Sequence, residues 1–132
     1  MAEPVPSERE LEILKVLWEL GESSVRQVRA RMYPRGEQAF NTVQTQLRIM
    51  QKKGLVTHRA EGRTFFYSPV YTREQAGSRF LNRVFDGALD EFVLTLIRAG
   101  DVRPEELDRI ERLIADARSK KRSRKSPKQR ED

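Results

Sequence analysis

Cysteine is absent from this chain of 132 residues, and histidine occurs only once. Without cysteine there can be no disulfide, no thiolate nucleophile and no cysteine metal site. The single histidine, His58, lies in a predicted strand without an obvious partner, and we interpret it as an ordinary strand residue. No phosphate-binding glycine loop, nucleophile elbow or metal-ligand spacing occurs either. The sequence therefore predicts a protein that is not an enzyme and that needs no metal and no cofactor.

Long hydrophobic runs are also missing, and none approaches the ~20 apolar residues that a membrane span needs. The segment Met1–Pro6 has neither a basic start nor an apolar stretch, so we identify no signal peptide. We therefore expect a cytoplasmic protein that does not insert into a membrane.

Positive charge is present in excess, with a net charge of +6, and it is unevenly distributed. Residues 7–70 contain 11 basic and 7 acidic side chains, and residues 71–118 contain 8 and 10. Residues 119–132 contain 7 basic and 2 acidic side chains. The charge that would attract nucleic-acid phosphates thus lies in the first half of the chain and in its tail.

Three helices are predicted in the first half. The first begins at Ser7, whose spacing to Glu10 is that of a capping box. A second, shorter helix is capped by Ser23 or Ser24, and a third covers Phe40–Lys53. The third helix has an apolar stripe that we expect to pack against the first two helices: Phe40, Val43, Leu47 and Met50.

A hairpin follows the third helix, with strands at Leu55–Arg59 and Thr64–Tyr67 and a charged tip at Ala60–Arg63. Three helices and such a hairpin are typical of a winged helix-turn-helix, in which the third helix enters the major groove of DNA. We expect base contacts from the outward side chains Asn41, Thr42, Gln44, Thr45 and Arg48. We expect contacts to the DNA backbone from Arg26, Lys52, Lys53 and Arg63.

The polar side of the third helix has a second interpretation, as an ordinary solvated face. The absence of any acidic residue between Phe40 and Lys53 favours the nucleic-acid contact. A purely surface role is likewise an alternative for the cations. For Arg26 the sequence favours neither the phosphate contact nor the surface role.

Helices are predicted throughout the second half, over Thr72–Phe85, over Ala88–Ala99 and from Pro104 to Ala117. Their apolar stripes exceed what three short helices can bury among themselves, which indicates a dimer. The predicted dimerisation residues are Phe80, Val84, Phe85, Leu89, Phe92, Val93, Leu96, Ile97, Leu107, Ile110 and Ile114.

The fold class predicted is mainly α, a winged helix-turn-helix followed by a helical dimerisation domain. Residues 7–70 form the DNA-binding domain, residues 71–118 the dimerisation domain, and residues 119–132 a disordered basic tail.

The leading hypothesis is a dimeric repressor on a palindromic operator. One alternative is a winged helix that docks on a protein or an RNA. Another is a ligand sensor with a pocket between the fourth and fifth helices, for which no convergent polar groups are evident.

Several motifs also resemble those of the penicillinase-repressor family of winged-helix repressors, the BlaI, MecI and CopY type. The similarity extends from about Ser7 to Ala117, and the motifs occur in the family's order and spacing. They are Glu10–Leu14 with Val16–Trp18, Asn41–Leu47, Lys53–Val56, Gly62-Arg63 before Tyr67–Pro69, and Phe85–Gly87.

The resemblance implies a homodimer that binds a palindromic operator and pairs through its C-terminal helices. In relatives that control β-lactam resistance, a membrane sensor triggers cleavage of the repressor at an Asn-Phe bond. The resemblance thus implies a protease or membrane sensor as a partner for induction. Here, however, Asn41 precedes Thr42 and Asn82 precedes Arg83, so the Asn-Phe cleavage site is absent. Copper-responsive members use C-terminal cysteines, which this chain does not have.

Overall fold

The computed structural model describes residues 4–131, with side chains described for residues 4–123. Within that range there are six helices and one antiparallel sheet of three short strands. In chain order the elements are α1 (Glu8–Leu20), β1 (Ser23–Ser24), α2 (Val25–Met32), α3 (Phe40–Lys52), β2 (Val56–Glu61), β3 (Thr64–Pro69), α4 (Arg73–Phe85), α5 (Leu89–Ala99) and α6 (Pro104–Glu131). The chain divides into two compact units, the first ending at Phe80 and the second beginning at Leu81.

Capping boxes begin the first two helices of the first unit. The Ser7 amide donates to Glu10 Oε1 at 2.9 Å, and the Glu10 amide donates to Ser7 Oγ at 3.2 Å. Ser24 and Gln27 make the same reciprocal pair at α2, so Ser24 is the cap and Ser23 is not. Each box satisfies backbone amides that a helix start would otherwise leave unpaired.

The three strands are arranged in the order β1-β3-β2. Strand β1 was not predicted, because two serines are too short to show an alternating pattern; they pair with Tyr67 and Phe66. The hairpin turn is also tighter than predicted. Ala60 and Glu61 are paired within the ladder, which leaves only Gly62 and Arg63 as the turn.

The core of the first unit combines side chains from α1, α2, α3 and the sheet. Its buried hydrophobic members are Ile13, Leu14, Val16, Leu17, Val25, Val28, Val43, Leu47, Met50, Leu55, Val56, Tyr67 and Tyr71. Phe40 differs from the sequence prediction, because it is 38% exposed and is not part of this core. As the first residue of α3 it precedes the turns that pack on α1 and α2, and the buried positions begin at Val43.

The boundary between the units lies ten residues beyond the one predicted at Val70. Tyr71 is buried in the core of the first unit, and its carbonyl accepts a 2.9 Å hydrogen bond from Trp18 Nε1. Ala76 also packs against this core. The first turns of α4 therefore belong to the first unit. The change from net positive to net negative charge after Val70 does not show this.

The second unit contains the end of α4, and α5 and α6. No residue of α5 is buried, even though the helix is rich in apolar side chains. Leu89, for example, is 60% exposed and Ile97 is 49% exposed. Within this unit the rings of Phe85 and Phe92 lie 5.3 Å apart between centroids, in a tilted arrangement.

Helix α6 continues past Ser119, where disorder was predicted, as far as Glu131. Lysine and arginine have good helix propensity, and extending an existing helix needs no new nucleation. Asp132 and the side chains from residue 124 onward lie outside the described residues.

Candidate nucleic-acid interface

Helix α3 has a buried side and a polar side, as its sequence predicts. Val43, Leu47 and Met50 are fully buried, which fixes the rotation of the helix on the core. The opposite side is exposed at Asn41, Thr42, Thr45, Arg48 and Lys52, whereas Gln44 is half-buried. Because the buried stripe sets the direction of every other side chain, the helix presents these polar groups outward.

A groove of 540 Å³ lies between the start of α2, one flank of α3 and the β2–β3 hairpin. Three arginines line it, each from a different element: Arg26 from α2, Arg48 from α3 and Arg63 from the hairpin turn. Gln44 and the apolar side chain of Phe40 also line it, and none of the lining residues is acidic. The tertiary structure thus brings three cations from distant parts of the sequence to one concave surface.

The position of Arg63 depends on the backbone of its turn. Gly62 has φ +62°, whereas Arg63 has no positive φ. A two-residue turn whose first central residue is a glycine with positive φ is a type II′ turn. The twist of this turn matches that of the flanking strands. The turn therefore holds Arg63 at the end of the wing, defined here as strands β2 and β3 with this turn.

The outer face of the wing carries an ion-pair network that the sequence analysis did not identify. Arg59 contacts Glu22 at 2.7 Å and Glu61 at 3.0 Å, and its guanidinium lies 4.8 Å from the ring centroid of Phe66. Ser68 Oγ also donates to Glu22 at 3.2 Å. The hydrogen bond from Arg59 lowers the pKa of Glu22, and both carboxylates raise the pKa of Arg59. In the sequence, only the opposite charges of Arg59 and Glu61 on β2 pointed to this network. They did not indicate Glu22, which lies in the loop before β1.

Two of the predicted backbone-contacting cations are adjacent but differ in environment. Lys52 is exposed at the end of α3. Lys53 Nζ instead lies 2.9 Å from Glu10 Oε1 at the start of α1. Burial by itself raises the pKa of Glu10, but the Ser7 amide and the Lys53 ammonium outweigh it, so the pKa lies below its ordinary value.

His58 is exposed on β2 and is hydrogen-bonded to Gln51 at the end of α3. Its ring lies 4.7 Å from that of Phe65 and 5.5 Å from that of Tyr67. Burial raises the pKa of Tyr67, and the nearby charge of Arg48 opposes that shift.

Among the described side chains, no group of three His, Asp or Glu residues is placed to hold a metal ion. Nor does any helix in the described range have the length and apolar content to cross a membrane.

Comparison with known proteins assigns the chain to a family. The family model described as penicillinase repressor matches residues 6–116, which include the first unit from α1 onward and the second unit through the first half of α6. This chain belongs to the penicillinase repressor family. A penicillinase repressor of Bacillus licheniformis is 28% identical over 123 residues, which are 90% of this chain and 96% of that protein.

A solved structure agrees with this assignment. The solution structure of the DNA-binding domain of the repressor BlaI has 31% sequence identity and a TM-score of 0.50, and the match covers 56% of this chain and 90% of that domain. The fold class is therefore a winged helix followed by further helices. The penicillinase repressor family comprises transcription regulators that are not enzymes, and this member is a transcriptional repressor.

Proposed function

We propose that this repressor acts as a homodimer that binds a palindromic DNA operator, with one α3 helix in the major groove of each half-site. The observation that carries the proposal is the groove in which Arg26, Arg48 and Arg63 converge without an acidic neighbour among the lining residues. DNA presents a dense row of phosphates, so a concave cationic surface beside an exposed polar helix fits a duplex.

The exposed side of α3 supplies the chemistry for reading bases. Asparagine and glutamine can pair with adenine, arginine can pair with guanine, and threonine can bond to either or touch a thymine methyl. We assign base contacts to Asn41, Thr42, Gln44, Thr45 and Arg48.

Contacts to the DNA backbone are assigned to cations around the edge of that helix. Arg26 and Arg63 line the groove from either side, and Lys52 is exposed at the end of α3. Lys53 forms an ion pair with Glu10, so we assign it a smaller contribution to DNA binding than Lys52. These contacts position the protein and carry little sequence information.

Dimerisation is assigned to the second unit, because its apolar side chains are exposed in the single chain. Val84 is 57% exposed, Leu89 60%, Ile97 49% and Ile114 49%. A second copy of the same helices is the partner that would bury these stripes with two-fold symmetry. Phe80, which was also predicted to contribute, is the last residue of the first unit. The proposed surface in the second unit comprises Val84, Phe85, Leu89, Phe92, Val93, Leu96, Ile97, Leu107, Ile110 and Ile114.

The first unit would then bind DNA and the second would set the separation of the two recognition helices. The basic end of α6 would add salt-sensitive affinity for DNA of any sequence, and the protein would work in the cytoplasm. Release by cleavage at an Asn-Phe bond is not open to this chain, because no such pair occurs in its sequence.

The test is capture of genomic DNA fragments by the purified full-length protein, followed by sequencing and alignment of the bound fragments. A shared palindrome upstream of a few genes is the expected result. Diffuse binding that disappears as salt is raised would contradict the proposal and favour a winged helix that docks on a protein or an RNA.

A further inference from the structure

Phe40 is an apolar side chain on the surface that we assign to DNA. It is the first residue of α3, it is 38% exposed, and it lines the groove beside Gln44 and Arg48. Residues four apart follow one flank of a helix, so these three side chains form one row along the groove. Burial in the core accounts for Val43, Leu47 and Met50, but it leaves the exposed ring of Phe40 without an explanation.

The place of Phe40 in the helix limits what its ring can meet. In helix-turn-helix docking, the N-terminal residues of the recognition helix contact base edges in the major groove. Among the four bases, only thymine presents an apolar group there, its C5-methyl, and phenylalanine is one of the side chains that contact it.

The second exposed ring of the groove does not fit this role. Phe65 is 36% exposed, but it lies on the wing and contacts the ring of His58. Wings reach the backbone or the minor groove, where no thymine methyl is displayed.

We propose that Phe40 is a specificity-determining residue that packs against the C5-methyl group of one thymine in each operator half-site. This inference rests on the proposed function, and it adds a required base to it. Gln44 and Arg48, on the same flank, would read the base pairs that follow along the groove.

The experiment removes the methyl group and nothing else. The probe is the duplex that the full-length protein enriches from a randomised pool, and each thymine in it is replaced in turn by deoxyuracil, which keeps every hydrogen-bonding group. We expect one position in each half-site to weaken binding about fourfold, because burying one such carbon is worth roughly 0.8 kcal/mol. Substituting both half-sites together should weaken binding on the order of fifteenfold.

Protein variants then identify the side chain that senses the methyl group. Phe40→Ala should bind the thymine and deoxyuracil duplexes equally. Ile49→Ala is the matched control, since Ile49 is 45% exposed on the same helix but lies about half a turn round from Phe40 and does not line the groove. It should keep the wild-type discrimination, as should Phe40→Leu, which retains an apolar side chain.

Two results would overturn the inference: no thymine position that responds to deoxyuracil, or a response that persists in Phe40→Ala. The scan with the wild-type protein decides the first without any variant. Enrichment of no duplex at all would overturn the proposed function as well, whereas an enriched duplex that is insensitive to deoxyuracil overturns only the contact of Phe40.

Discussion

Thr45 and Arg48 illustrate how single side chains would give this repressor its sequence preference. Both are exposed on α3, and their directions are fixed by the buried stripe beneath them. We expect Thr45→Ala and Arg48→Ala each to weaken operator binding by about 1–3 kcal/mol and to relax preference at one base position. Affinities for the operator and for single-base variants of it, measured at fixed salt, check this.

Loss of charge alone needs a control, which Lys15→Ala provides. Lys15 is an exposed cation on α1 that does not line the groove, so its removal should lower affinity for operator and random DNA alike, and only slightly. If the two α3 variants behave as Lys15→Ala does, base reading by these residues is refuted.

Glu10 gives the fold a dependence on pH. Its pKa in the folded protein lies below the ordinary value of 4.5. A carboxyl group that releases its proton more readily when folded stabilises the fold above that value, and this stability is lost as the pH falls towards the folded pKa. We expect the free energy of unfolding to decrease below about pH 5 in urea titrations.

The variant Glu10→Gln isolates the charge, because glutamine can still complete the capping box. It should be less stable than the parent at pH 7 by on the order of 1 kcal/mol and should lose less stability on acidification. Glu12→Gln, at an exposed position of the same helix, should leave the acid response unchanged. An identical acid response in Glu10→Gln and the parent would rule out this role.

At the scale of the element, the wing depends on one glycine. Gly62 has φ +62° in a two-residue turn, a conformation that other residues adopt only with strain. We expect Gly62→Ala to destabilise the hairpin by about 1–3 kcal/mol and to weaken DNA binding, because Arg63 is displaced. Thermal unfolding and operator affinity measure the two effects.

Gly77→Ala is the matched control for that substitution. Gly77 lies within α4, it has no positive φ, and nothing lies within 4 Å of an added Cβ. Alanine is the better helix former, so this variant should be slightly more stable, by roughly 0.5–1 kcal/mol, with unchanged DNA affinity. Equal behaviour of the two variants would show that the turn is not strained.

At the scale of the whole molecule, we expect the second unit to decide the oligomeric state. An aspartate at Ile97 would place a charge in the apolar surface that we assign to the dimer, where it would have no partner. Ile97→Asp should therefore be a monomer in sedimentation equilibrium and should bind the palindrome as a half-site. Thr95→Asp adds the same charge at another exposed position of α5 and should remain a dimer.

The basic end of α6 should affect DNA affinity without affecting sequence preference. Residues 119–132 carry a net charge of +5. A chain ending at Arg118 should lose affinity for all duplexes, and the slope of log affinity against log salt should fall by about 0.9 for each phosphate contact removed. An unchanged slope would show that these cations do not reach DNA.

Much of the local structure could be predicted from the sequence, because it depends on neighbouring residues. Three such features act within one or two turns of a helix. They are the Ser7–Glu10 capping box of α1, the reciprocal hydrogen bonds between Thr72 and Gln75 at the start of α4, and the spacing of Val43, Leu47 and Met50 in α3. Strand β1 could not be predicted, since two serines become a strand only when β3 lies beside them.

The class of fold, the polar side of α3 and the family follow from the sequence alone, because they depend on periodicity and motif order. Tertiary packing sets which distant side chains meet. It placed Arg26, Arg48 and Arg63 on one groove, paired Lys53 with Glu10, and left Phe40 at the surface. Such pairings depend on how helices and strands pack across tens of residues, and no local pattern records that geometry.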